Sequence, residues 1–248
     1  MNLLRTERLQ KSFGSLVVTK DVDLAVDAGE RHVIIGPNGA GKTSLINQIG
    51  GQLKPTSGRI YLRGQDITDS TPEQVCRFGV GRTFQKNNLF RGLSARENVR
   101  LALQVKNGTC YNAWSLTTSQ RWLWERVDNL LEQVHLSGDM RRPVSTLSYG
   151  EQRQLEIAIA LACEPALLLL DEPTSGMSPA ETERMIDLIR ELPSTLGLLI
   201  IEHDMNVVFS LADRITVLHY GEVLASGTPA DISSNDTVQA VYLGKRKA

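Results

Sequence analysis

The segment Gly36-Pro37-Asn38-Gly39-Ala40-Gly41-Lys42-Thr43 constrains this chain more than any other. It follows the apolar run Arg31 to Ile35, which reads as a strand, and opens a stretch to about Ile49 that reads as a helix. A glycine-rich turn between strand and helix with the spacing G-x-x-x-x-G-K-[ST] has the form of a phosphate-binding loop. The chemistry requires those residue types. Glycines let successive backbone N–H groups turn inward around phosphate oxygens. The helix N-terminus adds unsatisfied donors and a partial positive charge. Lys42 can reach the β and γ phosphates as a mobile cation, the Thr43 hydroxyl can ligate Mg²⁺, and Ser44 completes the nucleotide-binding run.

A second segment carries acid chemistry. Leu167-Leu168-Leu169-Leu170-Asp171-Glu172 is an apolar run ending in two carboxylates. Such a run suits a parallel strand buried on both faces, and ligands gather at the C-terminal edge of such sheets. Asp171 would hold Mg²⁺, directly or through water, and Glu172 would polarise an attacking water as general base. Val22 to Val26, Arg59 to Leu62 and Leu198 to Ile201 read as further strands, and Tyr220-Gly221 as the tip of a hairpin-like pair. Pro179 opens a helix to Glu191, and another starts at Asp204. In the middle, Ser94 to Val105 and Gln120 to His135 show helical periodicity, and a helix from about Gly150 to Cys163 stops before Pro165. This alternation predicts an α/β fold, a parallel sheet with helices on it.

Composition narrows the class. The 248 residues suit one large domain or a core with a small insert. A formal net charge of −1 gives no basic field for nucleic acid. Three cysteines, Cys76, Cys110 and Cys163, have no metal-type spacing and fit a reduced cytosolic compartment. The greasiest stretch, Leu155 to Leu170, is broken by Glu156, Glu164 and Pro165, short of the run of about 18 apolar residues that a membrane span needs. If the protein works at a membrane, another chain does the crossing.

A third segment, Leu147-Ser148-Tyr149-Gly150-Glu151-Gln152, sits just before a helix and ahead of Asp171. Ser148, with Glu151 three residues on, has the form of a helix N-cap and capping box. The same segment resembles the L-S-G-G-Q signature of the ATP-binding cassette (ABC) ATPases, and the resemblance covers essentially the whole chain. It implies a single cassette domain over 1–248, with an N-terminal antiparallel β region and an inserted α-helical subdomain over about 86–165. ATP and Mg²⁺ are the implied ligands. Ser148 and Gly150, with Tyr149 and Glu151 in the same segment, would meet the γ-phosphate bound to an opposite subunit. Gln85, in Gly81-Arg82-Thr83-Phe84-Gln85, matches the glutamine that touches Mg²⁺, and His203, after Ile201-Glu202, matches the histidine that contacts the γ-phosphate. Phe13 matches the aromatic that stacks on adenine. One departure stands out: where the family has S-A-L-D after the acid pair, this chain has Ser175-Gly176-Met177-Ser178.

Within that family the resemblance is to the branched-chain amino-acid importer ATPases, carried by LSYGEQRQLEI from Leu147 to Ile157, Ile201-Glu202-His203-Asp204-Met205, Gly227-Thr228-Pro229 and Tyr242-Leu243-Gly244. The stretch between Gln85 and Ser148 looks like the longer of the two paralogous ATPases in these importers. Urea and amide importers share the pattern. The implied partners are a second ATP-binding subunit (self or paralogue), two transmembrane permease subunits and, indirectly, a substrate-binding protein, at the cytoplasmic face of a bacterial inner membrane and without nucleic acid. A lipopolysaccharide-type exporter ATPase and a non-transport soluble ABC ATPase are the alternatives. A P-loop kinase would lack the signature and His203. Trp114, Trp122 and Trp124 cluster near the insert, either in local packing or lining a groove for a permease's coupling helix. Lys245-Arg246-Lys247 reads as a solvated tail.

Overall fold

The computed structural model describes residues 2–83, 89–106, 117–136, 138 and 140–243, the side chains of 117–120 and 242–243 excepted. The chain divides into two compact units, one of Met1–Val80, Ala166–Pro173 and Pro193–Ala248, the other of Gly81–Pro165 and Thr174–Leu192. The sequence alone suggested a helical insert over about 86–165. Gln85, Trp114, Cys110 and the Lys245-Arg246-Lys247 tail lie outside the described residues.

The first unit holds two sheets. Strands β1 (Leu4–Phe13), β2 (Leu16–Val26), β4 (Ser57–Leu62) and β5 (Gln65–Asp66) form an antiparallel sheet in the order β2-β1-β4-β5. In the main sheet, β3 (Arg31–Ile35) lies between β8 (Gly197–Ile201) and β9 (Arg214–His219), β7 (Leu167–Asp171) flanks β8, and β10 (Glu222–Gly227) flanks β9; the short strand β6 (Val80–Arg82) straddles the division between the two units. β3, β7, β8 and β9 run parallel, while β10 returns antiparallel along β9. Every residue of β7 and β8 is buried, as a strand covered on both faces must be. Helix α1 (Lys42–Ile49) adds Leu45, Ile46 and Ile49 to a core shared with Leu4, Leu24 and Ile60 of the antiparallel sheet and Leu169 and Ile201 of the main sheet.

This arrangement brings three strand ends to one edge. β3 runs into the glycine-rich loop, β7 ends at Asp171, and β8 ends before Glu202 and His203. Among the elements not separated in the sequence reading are β1, hidden among short polar alternations, and α2 (Pro72–Phe78). The latter has a legible start, since Thr71 caps it, Pro72 opens it and Gln74 closes a capping box.

The second unit is helical. Its elements are α3 (Ala95–Lys106), α4 (Thr117–Gln133), α5 (Tyr149–Leu161) and α6 (Pro179–Glu191). Ala95, Asn98, Val99 and Leu103 share one buried face of α3. Arg153 and Glu156 form a buried pair on α5 at 2.8 Å, and burial pushes the Glu156 carboxyl up against the pull of Arg153. The guanidinium groups of Arg96 and Arg100 lie over the Trp124 ring, 4.8 and 5.7 Å from its centre, whereas Trp122 is exposed. Among the described residues no helix is long and apolar enough to cross a membrane.

Candidate functional site

The loop between β3 and α1 is held open by backbone geometry. Gly41 has φ +98°, and a β-carbon there would stand 2.2 Å from the Val18 carbonyl oxygen. No side chain fits, so the backbone of β2 and the start of α1 approach closely. Gly41 is also the N-cap of α1, with no side-chain hydrogen bond and no acidic residue in the first turn. The orphan N–H groups of this helix therefore have no carboxylate of their own to satisfy them.

A cleft of about 530 Å³ is lined by residues 38–44 together with Leu16, Val17, Val18, Glu172 and Tyr220. Its size lies within the range of roughly 300–1,000 Å³ typical of small-molecule sites. The structure thus brings Asn38, Gly39, Ala40, Gly41, Lys42, Thr43 and Ser44 together with Glu172. Gly36 and Pro37 are not in the described lining; their carbonyls accept from Lys42 Nζ at 2.7 and 3.0 Å. Burial lowers the Lys42 pKa, while the carboxylates of Glu172 and Asp171 pull it the other way.

Glu172 sits one residue beyond β7 with φ +49°. A glutamate in the left-handed region is strained, and such strain concentrates at functional sites. Its N–H donates to the Ile201 carbonyl at 3.0 Å, which fixes that backbone. His203 is largely exposed, with Nδ1 3.8 Å from Glu172 Oε1. Its own N–H donates to the buried Glu202 carboxylate at 3.0 Å. Phe13 is half-exposed beside the Lys11 ammonium and is not in the described lining of the cleft, although its cross-strand partner Leu16 is. Gln85 lies outside the described residues. The sequence reading missed Leu16, Val17, Val18 and Tyr220. Tyr220-Gly221 was legible as a turn, yet nothing in the sequence reports that the turn reaches the loop at Ala40.

The signature segment belongs to the helical unit. Ser148 caps α5, its hydroxyl accepting the Glu151 N–H at 3.2 Å while its own N–H donates to Glu151 Oε2 at 2.7 Å. The Gly150 N–H donates to the Glu181 carboxylate, and a β-carbon at 150 would lie 3.0 Å from Glu181 Oε1. Glu181 in turn closes a capping box with Ser178, the N-cap of α6. Ser178 therefore does the work of a cap where the family pattern has Asp. Hydrogen bonds from the Ser178 backbone and hydroxyl hold the Glu181 carboxyl below its usual range. Tyr149 takes hydrogen bonds on its hydroxyl from Arg153 Nε at 3.1 Å and Nη2 at 2.8 Å. The cavity bounded by Ser148, Gly150, Glu151 and Glu181 measures about 30 Å³.

The donor set of the first unit fits Mg²⁺. Among the described residues no three His, Cys, Asp or Glu side chains converge on a metal-sized point. A hydroxyl at Thr43 and a buried carboxylate at Asp171 are hard oxygen donors of the kind Mg²⁺ uses when phosphates and waters complete its shell.

Comparison with known proteins assigns the family. A sequence family described as "ABC transporter" matches residues 19–175. The chain belongs to the ABC transporter ATP-binding family. A second family, "Branched-chain amino acid ATP-binding cassette transporter", matches residues 222–248 of the cassette. The high-affinity branched-chain amino acid transport ATP-binding protein LivG of Escherichia coli K12 is 40% identical over 98% of this cassette and 98% of its own length. Among solved structures, the ADP conformation of MJ1267, an ATP-binding cassette of an ABC transporter, matches with a TM-score of 0.83 at 30% identity, covering 99% of this chain and 100% of that one. The dimeric structure of MJ0796, a bacterial ABC transporter cassette, matches with a TM-score of 0.77 at 27% identity, covering 91% and 98%. As a member of that family the cassette is an ATP-binding, ATP-hydrolysing subunit of an ABC transporter.

Proposed function

We propose that this cassette energises import of branched-chain amino acids, or of a related small solute such as urea or an amide, at the cytoplasmic face of a bacterial inner membrane. It would act with a second cassette, itself or a paralogue, with two permeases and, through them, with a substrate-binding protein. The likeness to LivG over 98% of both chains and the terminal match over residues 222–248 support the cargo class.

The observation that carries the catalytic reading is the shared lining of one cleft by residues 38–44 and Glu172. In this reading the loop N–H groups cradle the phosphates and Lys42 transfers its hydrogen bonds from the Gly36 and Pro37 carbonyls to phosphate oxygens. Thr43, Asp171 and Gln85 would hold Mg²⁺, which would offset charge on the phosphates. Glu172 takes a proton from water as the water oxygen attacks the γ-phosphorus and the bond to the bridging oxygen breaks, releasing ADP and phosphate. His203 orients the water and γ-phosphate from beside Glu172, and Phe13 stacks on adenine. Ser148, Tyr149, Gly150 and Glu151 of the second cassette close over the γ-phosphate. Hydrolysis removes that shared phosphate and the pair opens, a switch driven by differential contacts in its two states.

Glu172→Gln tests the assignment. Steady-state ATPase assays should show turnover falling about 10²–10⁴-fold, the range for loss of a positioned general base. ATP should still bind, and size-exclusion chromatography should show the ATP-bound dimer persisting. Wild-type turnover in this variant would remove Glu172 from the role of base. The cargo is tested by asking which ligand-loaded binding protein stimulates ATPase activity of the intact membrane complex.

A further inference from the structure

Tyr220 has no part in the family pattern, yet it forms a wall of the nucleotide cleft. It is the most exposed of the large apolar or aromatic side chains described, at 81%. It also holds a left-handed backbone, φ +48°, which a bulky L-residue rarely adopts. The turn that carries it is pinned on both sides. The Gly221 N–H donates to the Ala40 carbonyl of the phosphate loop at 3.0 Å, and the Lys20 N–H donates to the Gly221 carbonyl at 2.8 Å. An ion pair between Lys20 and Glu222 adds a further link between β2 and β10. The His219 ring stands edge-on at 4.3 Å from the Tyr220 ring. An exposed aromatic is thus fixed one residue from a direct bond to the loop.

The composition of the cleft wall says what it would meet. Residues 38–44 supply the polar, phosphate-facing end, and Glu172 supplies a carboxylate. The large apolar surface comes from Leu16, Val17, Val18 and Tyr220. A nucleotide has one end rich in negative charge and one flat, apolar end, and only the second suits these side chains. We infer that Tyr220 contacts the purine base of bound ATP and forms, with Leu16 to Val18, the wall that selects for a base-bearing triphosphate. This inference rests on the proposed role of the loop as the phosphate site.

The test is calorimetric binding of two ligands to the purified chain in magnesium buffer: ATP, and ribose 5-triphosphate, which lacks the base. Replacing an aromatic ring that stacks on a base with alanine weakens binding by about tenfold. Tyr220→Ala should therefore lower ATP affinity by that factor and leave ribose 5-triphosphate affinity unchanged. Tyr220→Phe, which keeps the ring, should restore ATP affinity. Either of two results overturns the inference: wild-type ATP affinity in Tyr220→Ala, or equal loss of both ligands, which would make the turn a prop for the loop. Lys42→Ala separates the two readings, since it should lose both ligands. If it binds both normally, the phosphate assignment fails whatever Tyr220 does.

Discussion

Two helix N-termini sit in the segments proposed to meet nucleotide, and they are built in opposite ways. α1 begins at a glycine with no side-chain cap and no acid in its first turn, beside a cleft of about 530 Å³. α5 begins at a serine in a full capping box, with a second carboxylate, Glu181, on the Gly150 N–H, and the cavity there is about 30 Å³. That is space for a water and not for a phosphate. The difference supports the proposal that the phosphate cradle is complete within one chain, whereas the signature is a satisfied surface that becomes a site only when another surface closes over it. On that proposal an anion arriving at α5 would have to exchange with the chain's own carboxylates, and one arriving at α1 would not.

The sharpest way to break this comparison is at the glycines of the open end. Gly41→Ala should cost about 3 kcal/mol or more, combining backbone strain with a clash that nothing flexible can relieve, because its β-carbon would stand 2.2 Å from the Val18 oxygen. Gly39, at φ +81° with nothing within 4 Å of its β-carbon position, isolates the backbone cost. Gly39→Ala should lose only about 1–2 kcal/mol by the same left-handed penalty. Chemical denaturation of the two variants checks the contrast.

Smaller effects test the closed end. Ser148→Ala removes the α5 cap and should lower stability by about 1 kcal/mol. It should leave ATP affinity of the single chain intact while depressing turnover of the paired cassettes; an unchanged ATPase rate would separate the signature from catalysis. The smallest effect is the acid dependence of the Glu181 contacts. Glu181 has a folded pKa below its ordinary 4.5, so its contribution is complete above that ordinary value and disappears as pH falls through the lower folded one. Stability measured across the acid range should fall less steeply in Glu181→Gln than in the parent.

Much of this was legible in the chain itself. The Gly36–Thr43 run between strand and helix, the Leu167–Leu170 strand ending in carboxylates and the capping-box spacing of Ser148 and Glu151 all express local rules of backbone and burial. What was not legible depends on contacts distant in sequence. Ser178 stood out in the sequence only as a departure from the family's Asp, but its meaning is set by Glu181 and by the Gly150 N–H that Glu181 also accepts. Tyr220 looked like an ordinary turn residue, and only the Gly221–Ala40 bond makes it a neighbour of the loop. Phe13 was named for adenine by resemblance, while the described wall of the cleft begins at its cross-strand partner Leu16.

The left-handed backbone of Glu172 has a consequence for how such a protein evolves. Asparagine and glycine tolerate φ +49° far better than glutamate does. At this position, selection for thermal survival alone and selection for turnover point to different amino acids, the conflict expected where activity depends on a strained residue. A library screened only for heat resistance should therefore accumulate substitutions at 172, and its most robust members should be the ones that no longer split ATP.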